Sequence, residues 1–185
     1  METIPIGVIV GSARKESYSR KIAEAVSSLL PAPLETVNLR VGDLPMYNQD
    51  YDDEGRTPPE WAAFRESVRS LGGFLFVTPE YNRSFPPLIK NALDIASRPY
   101  GENRWSGKPG AIVGVSPGKL GAFGAAGHLR QVLSFLNVLL LPQPEMHLGG
   151  AASLVDEGNA VNPETARFLG EFAAAFAVWV KKIRG

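Results

Sequence analysis

Residues 4–10 read Ile-Pro-Ile-Gly-Val-Ile-Val, a nearly continuous apolar run. A strand with one face in water alternates apolar and polar residues, so an unbroken run calls for cover on both faces. Comparable runs recur at 74–77 and 111–115, with shorter ones at 34–39 and 138–141. Between them lie stretches with apolar residues at helical spacing. Residues 19–30 align Ile22, Val26, Leu29 and Leu30 before Pro31 and Pro33 stop the helix, and residues 61–71 predict the next. Pro86 and Pro87 open a third, which carries Leu88, Ala92, Ile95 and Ala96 inward; proline suits a first turn, where no intrahelical N–H is lost. Residues 125–136 align Leu129, Val132, Leu133 and Leu136, and 163–183 align Leu169, Phe172, Phe176, Val180 and Ile183. This alternation predicts an α/β fold, a doubly wound five-stranded parallel sheet with helices on both faces. Such sheets bind ligands beyond the carboxyl ends of their strands. The length of 185 residues fits a single domain over 1–185, able to bury roughly 70% of its unfolded surface.

Nineteen basic and nineteen acidic side chains cancel, so no overall field would hold the chain to nucleic acid or to an anionic membrane. Cysteine is absent, which removes disulfides, thiolate metal sites, iron–sulfur clusters and cysteine nucleophiles, and fits a reducing cytoplasm. The run at 4–10 is too short to span a bilayer and no basic segment precedes it, so neither a signal peptide nor a membrane helix is expected. Neither His128 nor His147 has a metal-ligand partner four residues on, and no metal site is expected.

The segment Gly11-Ser-Ala-Arg-Lys-Glu-Ser-Tyr-Ser-Arg20 joins the first strand to the first helix. A helix amino terminus offers free N–H groups and a positive dipole end, which favour a phosphate. Ser12, Ser17 and Ser19 add hydroxyls, Arg14 adds a forked cation, and Gly11 lets the backbone turn close to the anion. Both G-x-G-x-x-G and the Walker pattern are missing. Hydroxyls plus an arginine suit a terminal monophosphate dianion, which FMN has and NAD lacks. The competing reading makes the serines caps of the helix, although one serine suffices for that.

After the third strand comes Thr78-Pro-Glu-Tyr-Asn-Arg-Ser-Phe-Pro-Pro87. A flavin needs polar groups at its pyrimidine edge and flat apolar contact on its faces, which free N–H groups of a turn and Tyr81 or Phe85 can supply. The same stretch also reads as a turn before a helix that starts with proline. Lys90, Asn91 and Asp94 read as a polar helix face with one local ion pair. After the fourth strand, Ser116-Pro-Gly-Lys-Leu-Gly121 places Ser116, Gly118 and Gly121 at a third carboxyl-end loop, so three loops converge on one crevice.

Together these segments resemble the NADPH-dependent FMN reductase family, whose members include quinone, azo-dye and chromate reductases. The matching pieces are G-S-A-R-K-E-S-Y-S-R from Gly11, L-P-M-Y-N-Q-D from Leu44, P-E-Y-N-R-S-F-P from Pro79, K-N-A-L-D-I-A-S-R-P from Lys90, and G-K-P from Gly107 with S-P-G from Ser116. The resemblance implies a flavodoxin-like strand order 2-1-3-4-5. It also implies that Ser12, Arg14, Ser17 and Ser19 hold the FMN phosphate. Pro79, Glu80, Tyr81, Asn82 and Ser84 would then line the isoalloxazine, with Ser116, Gly118 and Gly121 bordering it. Ser19 stands where Asn is common in the family, and Ile95 where an aromatic is frequent.

On this reading hydride passes from NADPH or NADH to the flavin and on to a small acceptor, and no side chain is assigned a catalytic role. One rival is a flavodoxin-type FMN electron carrier that does not oxidise NAD(P)H; such carriers tend to be acidic, unlike this chain. Another is a dinucleotide enzyme with Asp43 as the ribose-binding acid after the second strand. The long connection 40–59 carries Leu44, Met46, Tyr47 and Tyr51, and the 99–105 loop carries Tyr100 and Trp105. Exposed, these large groups predict a homodimer or homotetramer.

Overall fold

The computed structural model describes residues 2–156 and 160–185. Among the described residues six strands, β1 (Ile4–Val10), β2 (Leu34–Asn38), β3 (Gly73–Thr78), β4 (Pro109–Val115), β5 (Leu139–Leu140) and β6 (Met146–Leu148), form one sheet. Its order is β2-β1-β3-β4-β5, with β6 also on β4, and every pairing is parallel. The helices are α1 (Tyr18–Leu29), α2 (Gln49–Asp53), α3 (Pro59–Ser70), α4 (Pro87–Ala96), α5 (Phe123–Phe135) and α6 (Pro163–Arg184).

The period-2 pleat deals the apolar runs to two cores. Ile6 and Val8 of β1, Leu75 and Val77 of β3, and Ala111, Val113 and Val115 of β4 face Ile22 and Val26 of α1 and Phe172 and Phe176 of α6. Ile9, Phe74, Phe76 and Ile112 face the other way, onto Trp61, Phe64, Ile89, Leu93, Leu129 and Leu133. Covered on both sides, all of β3 and β4 is buried.

The strand expected at 138–141 is present as β5, and a sixth strand, β6, follows it outside that run. β5 pairs with Pro109 and Gly110, and β6 with Val113 to Val115, so the two lie end to end along β4. Pro142 and Pro144 separate them; proline has no N–H to give the ladder, which is interrupted at that point.

The 40–59 connection is not a bare loop. Asn48 caps α2, its Oδ1 accepting from the Asp50 N–H at 3.1 Å, and Asp50 and Asp52 suit the positive end of that helix. The connection also folds back onto the core. Tyr47 and Tyr51 lie 5.2 and 5.7 Å from the buried Trp61 ring, and Trp61 Nε1 donates to the Pro45 carbonyl at 2.9 Å. Asn91 is not part of a polar helix face. It is buried in α4, accepts from the Tyr47 N–H at 2.8 Å and donates to the Pro45 carbonyl at 3.1 Å, latching the connection down. Lys90 and Asp94 do form the local ion pair, at 2.8 Å. Trp105, expected on the surface, has 0% exposure; its ring meets Phe74 at 4.8 Å and its Nε1 donates to the Leu93 carbonyl at 3.1 Å. Met46 and Tyr100 do remain exposed.

Candidate functional site

The loops after β1, β3 and β4 meet in one cleft, of about 70 Å³. Seven expected residues line it: Ser12, Arg14, Ser17, Ser19, Pro79, Tyr81 and Ser116. Gly11 is buried where the first loop leaves β1. A Cβ there would come within 2.9 Å of Ile89 and 3.0 Å of Pro79, so glycine lets the first and third loops touch, and this packing, rather than a special turn, is what requires it.

Ser17 caps α1, its Oγ accepting from the Arg20 N–H at 3.2 Å, so the cap reading holds for one serine. Its hydroxyl proton is still available for donation. Arg20 braces the loop from behind, donating to the Arg14 carbonyl at 2.8 Å and the Lys15 carbonyl at 3.4 Å. The Arg14 N–H donates to Ser12 Oγ at 3.4 Å, whereas the N–H groups of Ala13, Lys15 and Glu16 have no acceptor among the described residues. The Arg14 side chain is exposed and without an ion-pair partner among those residues. The acids nearby are occupied: Glu16 pairs with Lys21 at 3.2 Å, and Glu80 accepts from the Ala125 N–H at 3.0 Å. Three first-loop hydroxyls, an unpaired arginine and the free N–H of Glu16, whose carboxylate is held by Lys21, line this cleft and fit a phosphate dianion.

Glu80 works mainly as a cap. α5 begins after Ala122, which has no side chain to cap it, and Glu80 supplies the missing acceptor from the third loop. Asn82 and Arg83 both have positive φ, 51° and 70°, and make a tight turn closed by reciprocal Tyr81 and Ser84 backbone bonds of 2.8 and 3.0 Å. This turn leaves Tyr81 44% exposed beside the cleft. Phe85, the other candidate ring cover, packs on the core instead. Ser84 Oγ lies 3.2 Å from Nδ1 of His128 on α5.

Ser116 organises the fourth loop. Its Oγ donates to the Gly118 carbonyl at 3.1 Å and accepts from the Ala122 N–H at 3.2 Å. Gly121 has φ of 59°, and a Cβ there would approach the His147 backbone to 2.4 Å, so glycine is required for the loop to lie on β6. Gly118 flanks Ser116 without lining the cleft. Ala151, which the sequence reading passed over, does line it, brought there by β6. Its signal was the alternation Met146-His147-Leu148 followed by two glycines. Ser19 is 3% exposed where it borders the cleft, and Ile95 is fully buried without an aromatic ring.

Fold and cleft together define a flavodoxin-like protein whose three carboxyl-end loops share one cleft. The chain belongs to the NADPH-dependent FMN reductase family, whose model matches residues 4–153. A quinone reductase of Pseudomonas putida is 51% identical over 177 residues, 95% of this chain and 94% of the relative. A 2-hydroxy-1,4-benzoquinone reductase of a Burkholderia species is 43% identical over 182 residues, 98% of both. Among solved structures, the flavoenzyme NAD(P)H:(acceptor) oxidoreductase of Paracoccus denitrificans superposes with a TM-score of 0.90 at 37% identity, covering 97% of this chain and 98% of that one. The chain is an FMN-dependent NAD(P)H oxidoreductase, which decides against the flavodoxin-type carrier. Among the described residues no helix is long and apolar enough to cross a membrane, and no cluster of His, Cys, Asp or Glu could hold a metal ion.

Proposed function

We propose that the chain is a quinone-type reductase of one domain, acting in the cytoplasm on small, flat acceptors. The observation that carries this reading is the shared cleft of the three loops, with its phosphate donors at one end and the exposed Tyr81 beside it. Ser12, Arg14, Ser17 and Ser19 hold the FMN phosphate there. Pro79, Tyr81 and Ser116 border the isoalloxazine, while Glu80, Asn82, Ser84, Gly118 and Gly121 fix the turns that present them. Bound FMN supplies hydride acceptance and donation at N5. The chain's own residues would hold and orient that group, and no side chain would carry the redox chemistry. The names of the two curated relatives favour quinones over azo dyes, free flavin or metal oxyanions as acceptors.

Donor and acceptor using one open face in turn should give ping-pong kinetics. FMN-loaded protein, assayed with NADPH or NADH against 1,4-benzoquinone, is expected to give parallel double-reciprocal lines. Intersecting lines would require a second acceptor site and overturn the single-face reading.

We also propose a homodimer or homotetramer. Tyr81, Leu120 and Phe123, which are 44%, 63% and 60% exposed, belong to the loops and helix around the site, and Met46 and Tyr100 are exposed at 70% and 94%. Covering them would remove sizeable apolar area from water. Sedimentation at micromolar concentration is expected to exceed the 20.0 kDa of one chain; a monomer would refute this assembly.

A further inference from the structure

On the far side of the first loop lies a second, larger cavity, of about 380 Å³, that the flavin reading does not use. It opens at the carboxyl ends of β1 and β2. Ser12 and Ala13 form one wall, and Arg40, Gly42 and Asp43 the other. Ser12 lines both this groove and the phosphate cleft, so the two are neighbours across a single turn of backbone. Val10, Leu39 and Val41 give the groove an apolar side.

Its two arginines differ. Arg20 is committed to the carbonyls of Arg14 and Lys15. Arg40 is 87% exposed and pairs with Asp43, itself 75% exposed, at 2.6 Å. A pair so open to water is weakly held, and either partner can leave it for a better one. In α/β sheets that bind dinucleotides, an acid near the end of the second strand takes the ribose 2′-hydroxyl and an arginine nearby takes a 2′-phosphate. Arg40 and Asp43 place one of each there, three residues apart, while Arg20 and Glu24 of α1 line the groove as well.

We propose that the groove takes the adenosine end of the nicotinamide substrate, with Arg40 exchanging Asp43 for the 2′-phosphate of NADPH. This rests on the reading of the chain as an NAD(P)H oxidoreductase whose nicotinamide reacts in the neighbouring crevice. A phosphate dianion is a stronger partner than one carboxylate, since it offers more acceptor oxygens to the guanidinium fork. With NADH, Arg40 stays on Asp43 and contributes nothing. The pair thus sets the preference between the two donors.

The test uses FMN-loaded protein and two nucleotides without nicotinamide, 2′,5′-ADP and 5′-AMP, titrated by calorimetry. Wild type is expected to bind 2′,5′-ADP more tightly, and Arg40→Ala to erase that difference. The ratio of KM for NADPH to KM for NADH should rise roughly 5- to 10-fold in Arg40→Ala, through KM rather than kcat, as suits a forked contact at an exposed position. Asp43→Asn should move the other way and tighten 2′,5′-ADP, because it frees Arg40 and removes a like charge. Equal binding of the two nucleotides by wild type, or a preference that survives Arg40→Ala, overturns the assignment. If the nucleotide difference is found but neither nicotinamide is oxidised, the groove stands and the enzymatic reading falls. If both are oxidised and Arg40→Ala leaves their KM ratio unmoved, the groove falls alone.

Discussion

Arg14→Ala is expected to weaken FMN binding roughly 10- to 150-fold, equivalent to about 1.5–3 kcal/mol for a lost charge-assisted contact. The motive is that the guanidinium lines the cleft, unpaired, while the neighbouring acids Glu16 and Glu80 are already bonded. Riboflavin has no phosphate, so its affinity should hardly move, and this contrast separates a phosphate contact from damage to the fold. Turnover at saturating FMN should be nearly preserved, because the phosphate end is remote from the reacting ring. Titrating both flavins against both proteins, by quenching of flavin fluorescence, reads the difference. Unchanged FMN affinity, or an equal fall for riboflavin, would place the phosphate elsewhere. Loss of the loop's shape is not expected, since Arg20 and the Ser17 cap hold the backbone and neither depends on the Arg14 side chain.

The residues of this first loop were legible in the chain because their signal is local. A run buried on both faces must be a central strand, and hydroxyls plus an arginine directly after it must sit at a carboxyl-end loop. The strands β1, β3 and β4 were legible for the same reason. Long-range contacts were not. Asn91 sits among polar neighbours on α4, and nothing local shows that the chain 44 residues earlier returns to hydrogen-bond with it. Trp105 and Tyr100 look alike in a loop, yet one finds a carbonyl for its N–H inside the core and the other does not. The sixth strand, β6, was hidden because three residues are too few to show a period. With it went Ala151, which enters the cleft only because β6 pairs with β4.

The largest effect on stability is expected at Asp52, which packs with Arg65 in a pair almost withdrawn from water, at 6% and 9% side-chain exposure. Arg65 donates both terminal nitrogens to the Asp52 carboxylate, at 2.8 and 2.6 Å, and its Nε to the Ile95 carbonyl at 2.9 Å. Asp52 also accepts from the Thr57 hydroxyl at 2.8 Å. The pair therefore ties α2 and α3 to the end of α4. Asp52→Ala leaves the guanidinium buried and unpaired, and should cost about 3–5 kcal/mol. Replacing both, as Asp52→Ala with Arg65→Met, should cost less than the sum of the single changes, because no lone charge is then left inside. The Arg65 hydrogen bonds hold the Asp52 carboxyl below the ordinary aspartate range, against the opposing effect of burial, with Thr57 assisting. The folded state thus resists the proton that the unfolded chain accepts near an ordinary value of about 3.9. More protons on the unfolded side means that stability is full above that value and drains away as pH falls toward the lower folded one. Asp52→Asn, which keeps the shape but not the charge, should be less stable at neutral pH and should lack this part of the acid-side loss. Urea midpoints from pH 7 down to pH 3 measure both effects, and a parallel loss in wild type and Asp52→Asn would show that other carboxylates set the acid limit.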